Sequence, residues 1–456
     1  MDTATAARVV DGRLFGASVR FRRVTTDSRA LADGDLFVAL KGERFDGHDF
    51  VPAALAHGAV AAMVAADRAP ALAGTLIAVA DPLAALGRLA AHWRRQFALP
   101  VAVVVGSNGK TTVKEMLARI LREACGADGV LATEGNLNNA IGLPLTLLRL
   151  TAAHRAAAVE LGMNHRGETR ALAAIAQPTI VVVNNAQREH QEFMASVAEV
   201  AAEHGDAIAA LPRGGVAVIN GDDAHAHVWR AAAAAAGARV VTFGLAPGAD
   251  VRAEWTLRSD GSDVAIATDA GTVRVALAVP GRHMVSNALA ATAAALAAGA
   301  PLAAVQAGLA AFRAVAGRLV ALRTPAGAVV LDDTYNANPD SMRAAIDVLA
   351  AAPGDRWLVM GDMGEVGDAG PAYHREIGAY ARERGVARLY ALGTLARTSA
   401  AAFGEGATHY ADADGLAHDV ARDARAGVTV LVKGSRFMRM ERVVAALAGR
   451  AAAGAH

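Results

Sequence analysis

Residues 101–112 read Val-Ala-Val-Val-Val-Gly-Ser-Asn-Gly-Lys-Thr-Thr. Five consecutive apolar residues before a glycine bend read as a short strand buried on both faces, because a half-exposed strand would alternate with polar residues. Gly106 and Gly109 allow a tight bend whose N–H groups can converge on an anion. Lys110 adds a cation, and Thr111 and Thr112 add hydroxyls able to hold a metal ion. Val113, Met116, Leu117, Ile120 and Leu121 then recur at helical spacing, so a helix N-terminus faces the same anion. Strand, glycine bend, Lys-Thr and helix in this order restrict the chain to an α/β fold with a phosphate site at a strand's carboxyl end.

The loop, Gly-x-x-Gly-Lys-Thr, is shorter than the common Gly-x-x-x-x-Gly-Lys-Thr form, and a bare Gly-Lys-Thr also suits an exposed turn. Composition favours the phosphate site. Of 45 Lys and Arg residues only Lys41, Lys110, Lys114 and Lys433 are lysine. Where arginine has taken nearly every cationic position, a retained lysine points to a task for a compact charge that fits between two phosphates.

At 456 residues the chain suggests three domains, taking ~150 residues for each. The expected boundaries are 1–97, 98–313 and 314–456, with Ala98-Leu99-Pro100 as a linker. A formal charge of +1 gives no electrostatic case for nucleic acid or an anionic membrane. The single cysteine, Cys125, excludes an internal disulfide and any cysteine-built metal site, and reads as a buried small residue. Met1 to Arg13 carries no signal-peptide pattern, and the apolar runs are broken by His, Arg and Gly, so no spanning helix is expected. The expectation is a cytoplasmic monomer without membrane insertion.

In the first domain Leu36 to Leu40 and Ala59 to Val64 read as strands, and Phe50 to His57 and Leu83 to Phe97 as helices. Thr26-Asp27-Ser28-Arg29 reads by itself as a capped turn. In the second, 133–144 holds three asparagines and two glycines within ten residues, paired amides suited to a polar ligand. Ala156 to Glu160, Thr179 to Val183 and Val216 to Asn220 read as strands ending in polar residues. The carboxylate of Glu160, beside a phosphate loop, stands where a Mg²⁺ ligand belongs. Taken singly, His190 fits an ordinary surface turn as well as a site, while Glu160 fits a site somewhat better than a surface turn. Leu257 to Val279 reads as antiparallel hairpins, and helices are expected to Ala298 and over Ala303 to Phe312. In the third domain a hairpin begins at Gly317-Arg318-Leu319. Ala328 to Leu331, Arg356 to Met360, Arg388 to Leu392 and Val428 to Val432 read as strands, with helices up to Ala351 and over His374 to Arg384. An Ala/Gly tail follows Ala445.

These motifs together resemble the Mur ligases, the ATP-dependent amide ligases of bacterial cell-wall precursor synthesis. The resemblance is carried by Gly-Ser-Asn-Gly-Lys-Thr-Thr (106–112), Gly-Asn-Leu-Asn-Asn-Ala-Ile-Gly-Leu-Pro (135–144), Glu-Leu-Gly-Met-Asn-His-Arg-Gly-Glu (160–168), Gly-Arg-His (281–283) with Asn287, Gly-Arg-Leu (317–319) and Asp-Asp-Thr-Tyr-Asn-Ala-Asn-Pro (332–339). It spans nearly the whole chain. It implies a central doubly wound phosphate-loop domain flanked by an N-terminal α/β domain for a UDP-linked substrate and a C-terminal Rossmann-like α/β domain. The runs 27–48, 361–365 and 433–436 point within the family to addition of D-alanyl-D-alanine to UDP-N-acetylmuramoyl-tripeptide, with ATP and Mg²⁺. An Asp-Asn-Pro-Arg motif, carried by the diaminopimelate-adding members, is missing from the sequence.

By the same resemblance, Gly106, Ser107, Asn108, Gly109, Lys110, Thr111 and Thr112 hold the β/γ-phosphates. Thr111 and Glu160 ligate one Mg²⁺, with His190 near a second. Asn287 reads adenine, Arg318 reaches the γ-phosphate, and Asp333 holds the ribose. Ser28 and Arg29 match the uridine end of the substrate site, and Asn138 and Asn139 the part nearer the muramoyl peptide. Tyr335, Asn336 and Asn338 lie near the incoming dipeptide. Lys110, Glu160, His190 and Arg318 form the implied catalytic set.

One departure stands out. Related ligases place a carbamylated lysine in the helix after the His190 segment, but no lysine lies between Lys114 and Lys433. His204, or Glu203 beside it, stands there instead, or else the second metal is held differently. Two other functions compete on sequence alone: a folate-type polyglutamate ligase on the same central fold, and a phosphate-loop switch ATPase without ligase chemistry.

Overall fold

A computed structural model describes residues 1–258 and 260–449. Three sheets follow one another along the chain. The first has five strands in the order Arg13–Phe15, Leu76–Val79, Ala59–Ala65, Asp35–Val38, Arg23–Thr25, parallel except for the first pair. Two of these strands are legible in the sequence; the three-residue edge strands are too short for any periodicity to register.

Helix Pro82–Arg94, capped by Asp81, carries the chain out of the first sheet. Its end is fastened to the central body: the Trp93 indole N–H donates to the Leu150 carbonyl at 3.0 Å and the Gln177 side-chain amide donates to the Ala91 carbonyl at 3.0 Å. The expected linker therefore follows a helix end tethered to the central body, and Leu99 is buried in the central core.

The central sheet has nine strands. Val101–Val105 lies between Ala156–Glu160 and Ile180–Val183, parallel to both. All five residues are buried. Ala102 and Val104 face a layer formed by helices Lys110–Cys125, Arg282–Ala297 and Leu302–Ala311. Val101, Val103 and Val105 face a second layer with Glu168–Ala176, Val197–Gly205 and Ala226–Ala236. Alternate side chains thus enter two separate cores, which is why the run carries no polar alternation. The doubly wound expectation holds for the parallel part; three antiparallel strands, Val251–Arg258, Gly261–Thr268 and Gly271–Leu277, extend it at one edge. They begin six residues before the expected hairpins, and Ser259 within that stretch lies outside the described residues. Cys125 ends the phosphate-loop helix and is half-buried.

The third sheet runs Val320–Arg323, Val329–Asp333, Val428–Lys433, Asp355–Gly361, Arg388–Leu392, Ala407–Tyr410, parallel but for the first pair. Helix Glu441–Leu447 takes in the start of the expected Ala/Gly tail, and residues 450–456 lie outside the described residues. Among the described residues no helix is long and apolar enough to cross a membrane.

Candidate active site

The bend after Val105 is built as its glycines require. Gly106 and Gly109 have φ of +139° and +82°, in the region that side chains disfavour. A Cβ on Gly109 would lie 2.5 Å from Asn287 Oδ1 and 2.7 Å from Asn184 Nδ2. Lys110 opens the helix, and its ammonium folds back to donate to the Gly106 carbonyl at 2.6 Å, inside the loop.

Thr111 and Glu160 meet as the sequence suggests. The Thr111 hydroxyl donates to Glu160 Oε2 at 2.8 Å, and the Asn138 amide donates to Glu160 Oε1 at 2.7 Å. Glu160 ends its strand with its backbone N–H donating to Thr133 Oγ1 and is only 3% exposed. This places two hard oxygen donors side by side next to the phosphate loop, the donor chemistry that Mg²⁺ takes together with phosphate oxygens and water.

The segment after strand Ile180–Val183 forms the other wall. Gln187 receives the Asn108 amide at 2.7 Å on its side-chain oxygen, and its own backbone N–H donates to Ser107 Oγ at 2.8 Å. The amides of Asn184 and Asn185 both donate to the Asn108 carbonyl. Glu189 lies buried between three basic groups: Lys110 Nζ at 3.6 Å, His190 Nε2 at 3.7 Å and His204 Nε2 at 3.0 Å. Burial alone would push its carboxyl up, but Lys110 and the two imidazoles more than offset this and hold it down to about 2. His190 and Glu365 are both left-handed, at φ +49° and +55°, and their side chains meet at 2.6 Å. That contact holds the Glu365 carboxyl below its ordinary range against the opposing effect of burial.

The third lobe closes on this wall. Arg318 Nη2 donates to Thr111 Oγ1 at 3.0 Å while its guanidinium lies 4.3 Å over the Tyr335 ring. Asn338 and Asn108 exchange side-chain amide hydrogen bonds at 3.0 and 3.3 Å. Asn338 also caps helix Pro339–Ala350 through a capping box with Ser341. Arg188 reaches across to Asp340 and Glu376.

Other expected site residues sit differently. Asn287 is 4% exposed and lies under Gly109, its Oδ1 accepting from the Asn184 amide, so it braces the loop from beneath. Asp333 is paired with the buried Lys433 ammonium at 2.6 Å, which also donates to the Asn336 carbonyl. Asn336 itself is exposed, its Oδ1 accepting from the Ala337 N–H. Asn139 is exposed, and its Oδ1 accepts from the Ile141 and Gly142 N–H groups at 3.1 and 2.9 Å just ahead of helix Gly142–Leu147. Arg29 and Ser28 form the turn that local chemistry predicts: the Arg29 side chain is 88% exposed and grips Asp27 at 2.9 Å. Both oxygens of Glu203 are spent on the N–H groups of Gly167 and Thr169 at a helix start, so Glu203 does not turn toward the loop. His204 does, touching Ser107 Oγ at 3.5 Å as well as Glu189. Among the described residues no group of three or more His, Cys, Asp or Glu side chains converges as a metal cluster.

Sequence reasoning missed Gln187, Arg188 and Glu189. Their signal was available: they continue the polar run that starts with Asn184-Asn185 at the end of a buried strand, where open α/β sheets gather ligand contacts.

A phosphate loop at the centre of a doubly wound sheet, with the third α/β lobe delivering an arginine to it, defines a multidomain nucleotide-dependent enzyme. The chain matches the models described as "Mur ligase family, catalytic domain" over residues 20–94, "Mur ligase middle domain" over 104–295 and "Mur ligase, glutamate ligase domain" over 317–436. It belongs to the Mur ligase family. It is 42% identical over 446 residues to the UDP-N-acetylmuramoyl-tripeptide–D-alanyl-D-alanine ligase of Escherichia coli, covering 96% of each chain. Its fold is similar to a crystal structure of MurF from Acinetobacter baumannii, with a TM-score of 0.90, 33% identity and 98% of each chain covered. The MurF ligase of Thermotoga maritima, solved in complex with ADP, is similar at a TM-score of 0.81 and 27% identity, over 94% of this chain and 97% of that one.

Proposed function

We propose that this chain is the ligase that uses ATP to join D-alanyl-D-alanine to UDP-N-acetylmuramoyl-tripeptide. The observation that carries the proposal is the Arg318–Thr111–Glu160 chain of contacts, which joins the third lobe, the phosphate loop and a strand-end carboxylate in one place. The identity to enzymes carrying that name supports the choice of substrates.

The tripeptide's terminal carboxylate takes the γ-phosphoryl group and ADP leaves. The dipeptide amine then attacks the acyl-phosphate carbonyl. The tetrahedral intermediate collapses to the amide as phosphate departs and the amine proton is lost. The protein contributes alignment and charge. Lys110, released from the Gly106 carbonyl, and the N–H groups of residues 106–112 hold the β/γ-phosphates. Thr111 and Glu160 fit one Mg²⁺, which when bound neutralises developing phosphate charge. To a second ion Glu189 would give an oxygen and His190 a nitrogen, with His204 fixing Glu189 from behind. Arg318 reaches the γ-phosphate, and Asp333 with Lys433 borders the ribose side. Asn287 reads adenine from beside the loop that it braces.

Ser28 and Arg29 receive the uridine end on the first lobe, Asn138 and Asn139 line the path of the muramoyl peptide, and Tyr335, Asn336 and Asn338 flank the dipeptide. Closure of the third lobe excludes water from the acyl phosphate. Every residue named lies on one chain, which supports a monomer, and the use of ATP with a nucleotide-linked substrate supports a cytoplasmic reaction.

The test is phosphate release from ATP with UDP-N-acetylmuramoyl-tripeptide, with and without D-alanyl-D-alanine. Release is expected to need both substrates and Mg²⁺, and to fall by about 10²-fold or more in Lys110→Ala. Full release without the dipeptide, or full activity in that variant, overturns the proposal.

A further inference from the structure

Arg188 makes the densest polar contact between the central body and the third lobe. Its backbone N–H donates to Asp340 Oδ2 at 2.8 Å, its Nε and Nη2 donate to Asp340 Oδ1 at 3.1 and 2.6 Å, and its Nη1 and Nη2 donate to Glu376 at 2.7 and 3.1 Å. Its guanidinium lies 5.2 Å from the centre of the Tyr373 ring. Arg343 donates to the same Glu376 at 3.1 Å, so two arginines balance two carboxylates. The Arg188 side chain remains 22% exposed.

Its neighbours on both sides touch the phosphate loop. Gln187 bonds Ser107 and Asn108, and Glu189 lies 3.6 Å from Lys110. Across the interface Asp340 stands in the first turn of the helix that Asn338 caps, and Asn338 is the residue that pairs with Asn108. The contact therefore ties two short segments, one in each lobe, that both grip the loop.

We propose that Arg188 is a positioning residue of the ligase reaction: its hold on Asp340 and Glu376 latches the third lobe in the closed position that sets Arg318 against Thr111. The chemistry suits a reversible latch. A planar guanidinium matches two carboxylates with several bonds at once, which gives geometric definition that a lysine cannot. Partial exposure keeps water available to each partner when the lobes part, so neither charge is stranded on opening. Arg188 touches no group assigned to the reacting atoms and acts through Arg318 and Asn338.

The latch rests on the ligase proposal for its effect on rate, but not for its effect on shape. The experiment compares wild type, Arg188→Ala, Asp340→Asn and the double variant by small-angle scattering without nucleotide, by thermal melting, and by phosphate release with both substrates. Asp340→Asn opens the same latch from the other lobe, so a folding defect in one variant leaves the second to decide. Both single variants are expected to show a larger radius of gyration, and kcat/KM for ATP at least tenfold lower. The double variant is expected to lose little beyond either single one, because the two residues form one contact. Unchanged scattering in both variants overturns the latch whatever happens to activity, and so does changed scattering with wild-type kcat/KM. A wild type that releases no phosphate with the two substrates defeats the proposed function while the scattering still decides the latch.

Discussion

Arg318 and Thr111 are joined by a 3.0 Å hydrogen bond across 207 positions of sequence. One residue opens the third lobe and the other sits at the start of the phosphate-loop helix, so the contact is a direct measure of closure. Arg318 is aligned by the Tyr335 ring beneath it. In the proposed reaction, removing the guanidinium takes a positive charge from the place where phosphoryl transfer spreads negative charge. Arg318→Ala is expected to lower kcat by about 10²–10³-fold, with a smaller effect on the KM for ATP. Steady-state kinetics at saturating substrates checks this. Arg318→Lys restores charge but not the planar fit over Tyr335, and should recover only part of the rate.

Gly109 tests the loop itself. Its φ of +82° and the 2.5 Å approach of Asn287 Oδ1 leave no room for a methyl group. Gly109→Ala combines backbone strain of about 1–3 kcal/mol with displacement of the Asn287–Asn184 brace. Calorimetric titration with a non-hydrolysable ATP analogue should show affinity reduced by at least about tenfold, as 1.4 kcal/mol corresponds to a factor of ten. Gly135→Ala also lies at positive φ but meets no atom within 4 Å, and should leave affinity near that of wild type.

Lys433 and Asp333 form a buried pair at 2.6 Å, with side-chain exposures of 5% and 14%. Lys433→Met leaves the half-buried Asp333 carboxylate unpaired and should destabilise the third lobe by about 1–3 kcal/mol. Adding Asp333→Asn removes the stranded charge and should recover part of that loss. Thermal melts of the two variants against wild type decide between this account and a surface pair of little consequence.

The first lobe carries a pH signature. The Asp46 carboxylate accepts from the His48 backbone N–H at 3.0 Å, contacts the His48 ring and is bridged by Arg68 at 2.8 Å. The backbone hydrogen bond first, then the His48 and Arg68 contacts, hold its pKa at about 2, below the ordinary 3.8. A lowered folded-state pKa contributes stability that is present above the ordinary value and is lost as pH falls toward 2. The melting temperature of wild type should therefore exceed that of Asp46→Asn at pH 6, and the gap should shrink between pH 4 and pH 2. A gap that does not change with pH would assign the difference to packing.

The central strand and its loop were legible because local chemistry dictates them. Val101–Val105 matches the apolar run residue for residue, and two positive-φ glycines stand where the bend requires them. The Thr111–Glu160 meeting followed from a general property of α/β sheets, that strand ends gather at one edge. Asn139 and Asn287 were expected to face ligand, and each also braces the protein: the Asn139 oxygen accepts from the Gly142 N–H and the Asn287 oxygen from the Asn184 amide. An amide serves either purpose equally well, and only its neighbours decide which.

Fold class, the sheet that carries the phosphate loop and the two oxygen donors beside it follow from the order of residues, because periodicity, glycine conformation and strand-end placement act over a few positions. Tertiary structure alone decided that Glu189 is an ionised carboxylate enclosed by Lys110, His190 and His204, and that Arg188 spans two lobes to Asp340 and Glu376. Burial and charge pairing depend on residues far apart in the chain brought within a few ångströms. No local pattern specifies those distances.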